Sequence, residues 1–191
     1  MDLQAYVLEQ GADGAGWIPP ARLPIDAVLR KACEANTCGS FGKTYGCPPY
    51  VGTPEEVTAR ARSFAGFLLF QTIGQLEDSF DAENMSIAGA KHAALTRTVH
   101  DALYRDIPGL LTIGAGGCKL CEECGVQTGT PCPQPERVIP SVSGFCINVS
   151  RAAAMAGLKY NNGPATVTFF SGLFVPEGFI EHKKECIRKE G

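Results

Sequence analysis

Apolar and polar positions alternate along the chain in a pattern that predicts short strands separated by helices. Three apolar runs rich in aromatic and branched residues predict buried strands at residues 64–73, 110–113 and 165–175. Apolar residues that recur at helical spacing predict helices at residues 25–35, 84–104 and 148–156. Thr53, Pro54 and Glu56 form a capping-box pattern, which predicts that a further short helix begins there.

The order of these elements predicts the fold class. Residues 1–22 have no clear period, and their glycines and prolines predict loops. Strand, helix, strand, cysteine loop, helix and strand then follow, which predicts an α/β fold. We expect a small sheet with flanking helices and with cysteine-rich, cluster-binding loops at strand ends. A chain of 191 residues has the length of one domain, so we predict a single α/β metal-binding domain over residues 1–191.

Composition narrows the classes of partner. The net charge of -3 gives no reason to expect nucleic acid or an acidic membrane surface as a partner. The N-terminus lacks the basic start and apolar stretch of a signal peptide, and the longest apolar run is too short to cross a bilayer. We therefore predict a cytoplasmic protein without a nucleic-acid or membrane partner. The oligomeric state stays open.

Nine cysteines are the most informative feature of the composition. Their odd number and the lack of an export signal argue against a disulfide framework, whereas grouped thiols in a reducing compartment more often bind metal. Three of them form an early group in a loop at about residues 33–50: Cys33, Cys38 and Cys47. Four form a later group in a loop at about 114–146: Cys118, Cys121, Cys124 and Cys132. The remaining two, Cys146 and Cys186, stand alone.

The later group has the spacing of an iron–sulfur ligand set. Cys118, Cys121 and Cys124 are separated by two residues each, and Cys132 follows seven residues later with Pro133 after it. Three such thiolates can ligate three irons of one cubane and a more distant cysteine the fourth, as in bacterial ferredoxins, where the last gap is shorter. Zinc usually takes two Cys-x2-Cys pairs instead, so we favour a [4Fe–4S] cluster over zinc.

The early group supplies only three thiols in line. Cys33, Cys38 and Cys47 can hold a second [4Fe–4S] cluster that has an open iron or a distant fourth ligand. They can also bind zinc with a histidine or Cys146 as the fourth ligand, or form a cysteine-rich structural loop. An open iron would matter because an exchangeable coordination position can bind and activate a substrate. Residues 43–45 lie inside this loop and are candidates to orient an anion or to form a plain turn.

Several motifs resemble one protein family. Cys-Gly-x-Phe-Gly-Lys-x-Tyr-Gly-Cys-Pro-Pro at 38–49, Gly-Gly-Cys-x-Leu-Cys-Glu-x-Cys at 116–124 and Pro-Cys-Pro-x-Pro-Glu at 131–136 are similar to those of the DUF2284 family of predicted metal-binding proteins. The resemblance spans about residues 30–160 and implies a bacterial or archaeal metal-binding protein, with iron–sulfur chemistry expected. It implies no reaction. Pro133 and Cys146 depart from the family pattern, which leaves Cys146 as a ligand private to this chain or as no ligand.

Three functions are compatible with these residues. The first is an iron–sulfur protein with one or two [4Fe–4S] clusters that transfers electrons to a redox partner protein. The second is an enzyme that uses an open-iron, three-cysteine cluster as a Lewis acid or sulfur carrier for a small-molecule substrate. The third is a structural or regulatory protein that binds zinc or iron. We predict that His92 and His100 are surface or satisfied core residues, and that Glu122 and Glu123 face water.

Overall fold

The sheet is small and antiparallel throughout. We describe residues 1–179 of a computed structural model. Its strands are β1 (Gly14–Ile18), β2 (Gly66–Gln75), β3 (Leu111–Ile113) and β4 (Thr166–Val175), in the order β1-β2-β4-β3. The long central pair β2 and β4 is in register with Leu69 opposite Gly172, and β3 is the edge strand, with Leu111 opposite Phe174. The predicted mixed α/β fold with a small sheet is confirmed.

The helices flank this sheet, and most of them begin after a residue whose side chain accepts a backbone N–H of the first turn. They are α1 (Leu3–Glu9), α2 (Arg30–Glu34), α3 (Pro54–Arg62), α4 (Ala82–Leu103), α5 (Gly125–Thr128) and α6 (Val149–Met155). The capping box of α3 is confirmed, because the Glu56 N–H donates to Thr53 Oγ1 and the Thr53 N–H donates to Glu56 Oε2. The predicted helix at 25–35 is a 3-10 turn (Ala27–Leu29) followed by α2.

Two apolar cores lie on the two faces of the sheet. Alternate residues of β2 point in opposite directions, so Phe67 and Leu69 belong to one core and Leu68 and Phe70 to the other. The first core includes residues of α3, α6 and the 3-10 turn Ser143–Phe145, and the second includes residues of α1 and α4. The molecule is therefore layered, with helices on both sides of one sheet. Within residues 1–179, no helix has both the length and the apolar composition needed to span a bilayer.

The expectation of loops over residues 1–22 is wrong, since α1 and β1 both lie there. Gly11 does lie in a turn, with φ 109°, but Gly14 and Gly16 lie in β1, where they allow close packing. A methyl group on Gly16 would lie 2.0 Å from the Ala156 carbonyl oxygen, so only glycine allows β1 to approach the end of α6. Pairing of β1 with the buried strand β2 then stabilises a segment whose composition alone does not favour a strand.

Candidate metal centre

The later cysteine group lies on a long loop whose two ends are joined at the edge of the sheet. β3 leads to Gly114, whose N–H donates to the Pro140 carbonyl over 2.8 Å, and the Val142 N–H donates back to the Gly114 carbonyl over 2.9 Å. These two bonds form an isolated parallel bridge between Gly114 and Ser141. The loop between them, residues 115–139, carries all four cysteines of the predicted quartet.

The interior of this loop has no apolar core. None of residues 115–138 is buried, and regular structure is limited to α5 and the 3-10 turn Pro135–Arg137. Each thiol of the quartet is half-buried, whereas Glu122 and Glu123 are exposed, as predicted. Long loops with so little structure of their own are uncommon in compact domains and are usually functional. Burial of apolar side chains does not explain the shape of this loop.

Contacts from outside hold the second half of the loop. The Arg97 guanidinium on α4 donates to the Arg137 carbonyl over 2.7 Å, and Arg137 pairs with Asp101 over 2.6 Å. Burial acts to raise the pKa of Asp101, but the hydrogen bond and charge of Arg137 outweigh it and hold that pKa below its ordinary value. The Tyr45 hydroxyl, from the early cysteine loop, donates to the Thr130 carbonyl over 2.7 Å. The loop is thus fastened on both sides of Cys132.

The two cysteine loops pack directly against each other. A methyl group on Gly46 would lie 2.8 Å from the Cys118 backbone nitrogen, and one on Gly117 would lie 3.0 Å from Cys47 Sγ. The missing side chains of these two glycines therefore allow Cys47 and Cys118 to lie close together. Thr44 Oγ1 lies beside Gly117 and is buried without a hydrogen-bond partner among the described residues. A buried hydroxyl without a partner can donate a hydrogen bond to a sulfur ligand.

The early group begins at α2 and ends near the first apolar core. Cys33 is half-buried on α2, Cys38 is exposed, and Cys47 is buried at 5% exposure. Burial raises the pKa of the Cys33 thiol, the nearby Arg30 guanidinium lowers it, and the charges of three further cysteines raise it: Cys38, Cys47 and Cys146. Cys146, distant in sequence, is thus one of the groups that act on the Cys33 thiol.

The thiol side chains and the local backbone of the two loops suit a metal site, but the sulfur atoms do not converge in this structure. Among residues 1–179, no group of three or more His, Cys, Asp or Glu side chains lies close enough to hold a metal ion. Thiols are ligands for both zinc and iron–sulfur clusters. The close packing at Gly46 and Gly117, together with the orphaned Thr44 hydroxyl, forms a suitable surrounding for either. Metal–sulfur bonds of about 2.3 Å require the thiols to close inward, as expected where metal binding is coupled to folding.

Both histidines on α4 are buried, and His92 is a satisfied core residue, which is one of the two alternatives predicted for them. His92 Nδ1 hydrogen-bonds Thr72 Oγ1 over 2.8 Å, and its Nε2 hydrogen-bonds Ser171 Oγ over 2.7 Å. Burial lowers the pKa of His92 to about 4, so the ring is neutral at physiological pH. His100 Nδ1 hydrogen-bonds Thr112 Oγ1, but its Nε2 is buried without a hydrogen-bond partner among the described residues, so His100 is a core residue that is only partly satisfied. His182 and Cys186 lie outside the described residues.

Arg30 is a site residue that sequence reasoning missed. Its guanidinium donates to the Gly52 and Gly144 carbonyls, each over 2.8 Å, and its Nε is buried without a partner within the described part of the chain. It is 6% exposed and lies one helical turn before Cys33. A cation three residues before a cysteine on a predicted helix is the sequence signal that could have identified Arg30.

A cavity of about 660 Å³ lies where the two cysteine loops meet. Tyr45 and Tyr50 line one side, with ring centroids 5.4 Å apart in an edge-to-face arrangement, and Arg60 and Cys132 also contribute to the wall. A small molecule bound there would contact residues of both loops and the Cys132 end of the quartet.

Comparison with known proteins identifies the family and gives no activity. No curated protein and no solved structure matches the chain. The profile of the DUF2284 family, described as predicted metal-binding proteins, matches residues 16–175 and so covers the sheet and both cysteine loops. The chain therefore belongs to the DUF2284 family of predicted metal-binding proteins.

Proposed function

We propose that the protein is an iron–sulfur protein in which Cys118, Cys121, Cys124 and Cys132 bind a [4Fe–4S] cluster, and that it transfers electrons as a redox accessory protein. The observation that carries this proposal is the loop 115–139, which is closed at its base and has no buried residue from 115 to 138. Four cysteines with ferredoxin-like spacing are the feature of this loop that can replace an apolar core.

The exposure of the loop favours electron transfer. All four thiols of the quartet are half-buried, so a cluster there would lie near the surface, where a redox partner can approach it. A [4Fe–4S] cluster supplies one-electron chemistry, and the surrounding N–H groups, burial and charge set its potential. The loop glycines leave backbone N–H groups accessible for bonds to sulfur.

The contact between the two loops supports a second cluster at the early group. Cys47 and Cys118 approach each other through Gly46 and Gly117, so centres held by the two groups would be neighbours. Adjacent centres suit a carrier that passes electrons from one cluster to the other.

A second candidate function is an enzyme with an open iron at the early group. The cavity of about 660 Å³ favours it, because a cavity lined by two tyrosines, an arginine and Cys132 suits a small molecule. In that case a small thiol added to the reduced protein would shift its EPR spectrum. An unchanged spectrum, together with rapid electron exchange with a redox dye, would favour the carrier.

Metal analysis of protein purified without oxygen tests the proposal. We expect at least about four iron atoms and as many acid-labile sulfides per chain, as for one cluster. Cys121→Ser should lower both contents by about four, whereas Cys186→Ser, which changes a cysteine outside both groups, should not. Zinc without labile sulfide would support the structural or regulatory alternative instead. Protein with neither iron nor sulfide would rule out the proposed function.

A further inference from the structure

The 3-10 turn before Cys146 is contacted by the segment that carries Cys33. Arg30 on α2 donates through Nη2 to the Gly144 carbonyl over 2.8 Å, in a bond that is buried. Cys33 follows Arg30 by three residues, so both side chains lie on the same side of α2. The Arg30 bond therefore fixes the Cys33 side of this helix against residues 143–146.

The segment that carries Cys47 contacts the same turn. Cys47 Sγ lies 3.8 Å from Ser141 Oγ, and Ser141 Oγ also accepts the Gly144 N–H over 3.0 Å. A methyl group on Gly144 would lie 3.5 Å from Pro48 Cδ, so the residue after Cys47 packs on the turn as well. Two of the three early cysteines are thus attached to one short turn, and Cys146 ends it.

The backbone at Cys146 is held in a conformation that cysteine does not favour. Cys146 has φ 54°, in the left-handed region, and its side chain is 0% exposed. Its N–H donates to the Ser143 carbonyl over 3.0 Å, and its carbonyl accepts the Asp26 N–H over 2.9 Å. The left-handed region is sterically unfavourable for a residue other than glycine. Cys146 nevertheless occupies it with a fully buried side chain, so we consider its thiol as a ligand.

We infer that Cys146 is the fourth protein ligand of the early group, so that Cys33, Cys38, Cys47 and Cys146 hold a second [4Fe–4S] cluster without an open iron. This inference rests on the proposed function, because it assumes that the chain assembles iron–sulfur clusters. Full ligation by cysteine leaves no position for substrate, which favours electron transfer over Lewis-acid catalysis. The buried Arg30 guanidinium supplies positive charge one helical turn from Cys33, which would offset part of the repulsion between the thiolates.

Iron and sulfide analysis of anaerobically purified variants tests the inference. We expect about eight irons and eight labile sulfides per chain in the wild type, and a loss of about four of each in Cys146→Ala. Cys38→Ala should lose the same cluster, and since Cys38 is exposed, this change leaves the apolar core intact. Cys186→Ser is the matched cysteine control and should keep both clusters.

The EPR spectrum of the reduced protein supplies a second readout. If Cys146→Ala keeps its iron, the spectrum should become sensitive to added 2-mercaptoethanol, which can occupy the vacated iron, whereas the wild-type spectrum should not. Cys146→Ser provides the same test if the alanine variant does not fold. A variant with full iron content and a thiol-insensitive spectrum would overturn the inference, as would a thiol-sensitive wild type. A wild type with only about four irons, all held by the quartet, would overturn it but leave the proposed function standing. Absence of iron from the wild type would instead refute both.

Discussion

Replacement of Gly46 by alanine tests whether the contact between the two cysteine loops matters for stability. The new methyl group would lie 2.8 Å from both the Cys118 backbone nitrogen and the Ile139 carbonyl oxygen. Both atoms belong to backbone and cannot rotate away, so the loops must separate by some tenths of an ångström. The Gly46 carbonyl also accepts the Ser141 N–H over 2.8 Å, which ties this residue to the base of the long loop.

Overpacking of this kind costs about 1–3 kcal/mol, which corresponds to a fall in Tm of about 2–12 °C for a chain of this size. Urea unfolding of the metal-free protein, followed by circular dichroism, measures the packing cost without a contribution from metal. Gly178→Ala is the matched control, because its methyl group would meet no atom of the described residues within 4 Å. In the metal-loaded protein, Gly46→Ala should also lower iron content, since Cys118 moves with the displaced loop. Equal unfolding free energies for the two variants would refute the packing argument.

Three further predictions concern a core histidine, the loop and its anchor. Burial lowers the pKa of His92 from 6.5 to about 4, so between these values the unfolded chain binds a proton that the folded chain does not. The free energy of unfolding should therefore fall as the pH drops through this window, by at most about 3 kcal/mol. His92→Gln should flatten this pH dependence in urea unfolding, and an unchanged slope would contradict the assignment of the proton uptake to His92. Arg137→Gln removes the ion pair with Asp101, so a chelator should extract metal several-fold faster. The free energy of unfolding of the metal-free protein should change little, because the pair is partly exposed. An unchanged rate of metal extraction would show that this pair does not hold the loop. Removal of metal should speed hydrogen exchange in residues 115–138 and leave β2 and β4 protected, and equal exchange in both states would show that metal does not order the loop.

Local pattern predicts the long elements of this fold because their signals lie within the elements themselves. β2, β4 and α4 show clear apolar periods, and α3 carries its own capping box. β1 escapes prediction because its strand conformation depends on pairing with β2, more than forty residues away. Its glycines indicate loops unless the packing against Ala156 is known.

The candidate metal centre likewise has one part that the sequence predicts and another part that depends on contacts between distant residues. The spacing of Cys118, Cys121 and Cys124 is local and predicts a ligand set without a structure. The place of Cys146 is not local, because about a hundred residues separate it from Cys47, and the contacts of Cys47 and Pro48 with residues 141–144 bring the two cysteines towards each other. The position of Arg30, three residues before Cys33, is visible in the sequence, but its partners are backbone carbonyls that no sequence pattern marks.

The parallel direction of the bridge between Gly114 and Ser141 bears on how the family can vary. Two chain segments that run side by side in the same direction cannot be joined by a tight hairpin, and they need a crossover of a dozen residues or more, which is most often a helix. Here the crossover is the cysteine loop. This connection therefore cannot be shortened to a turn without losing the bridge. A family member without these cysteines would need another structure in the crossover, most simply a helix packed on the edge strand.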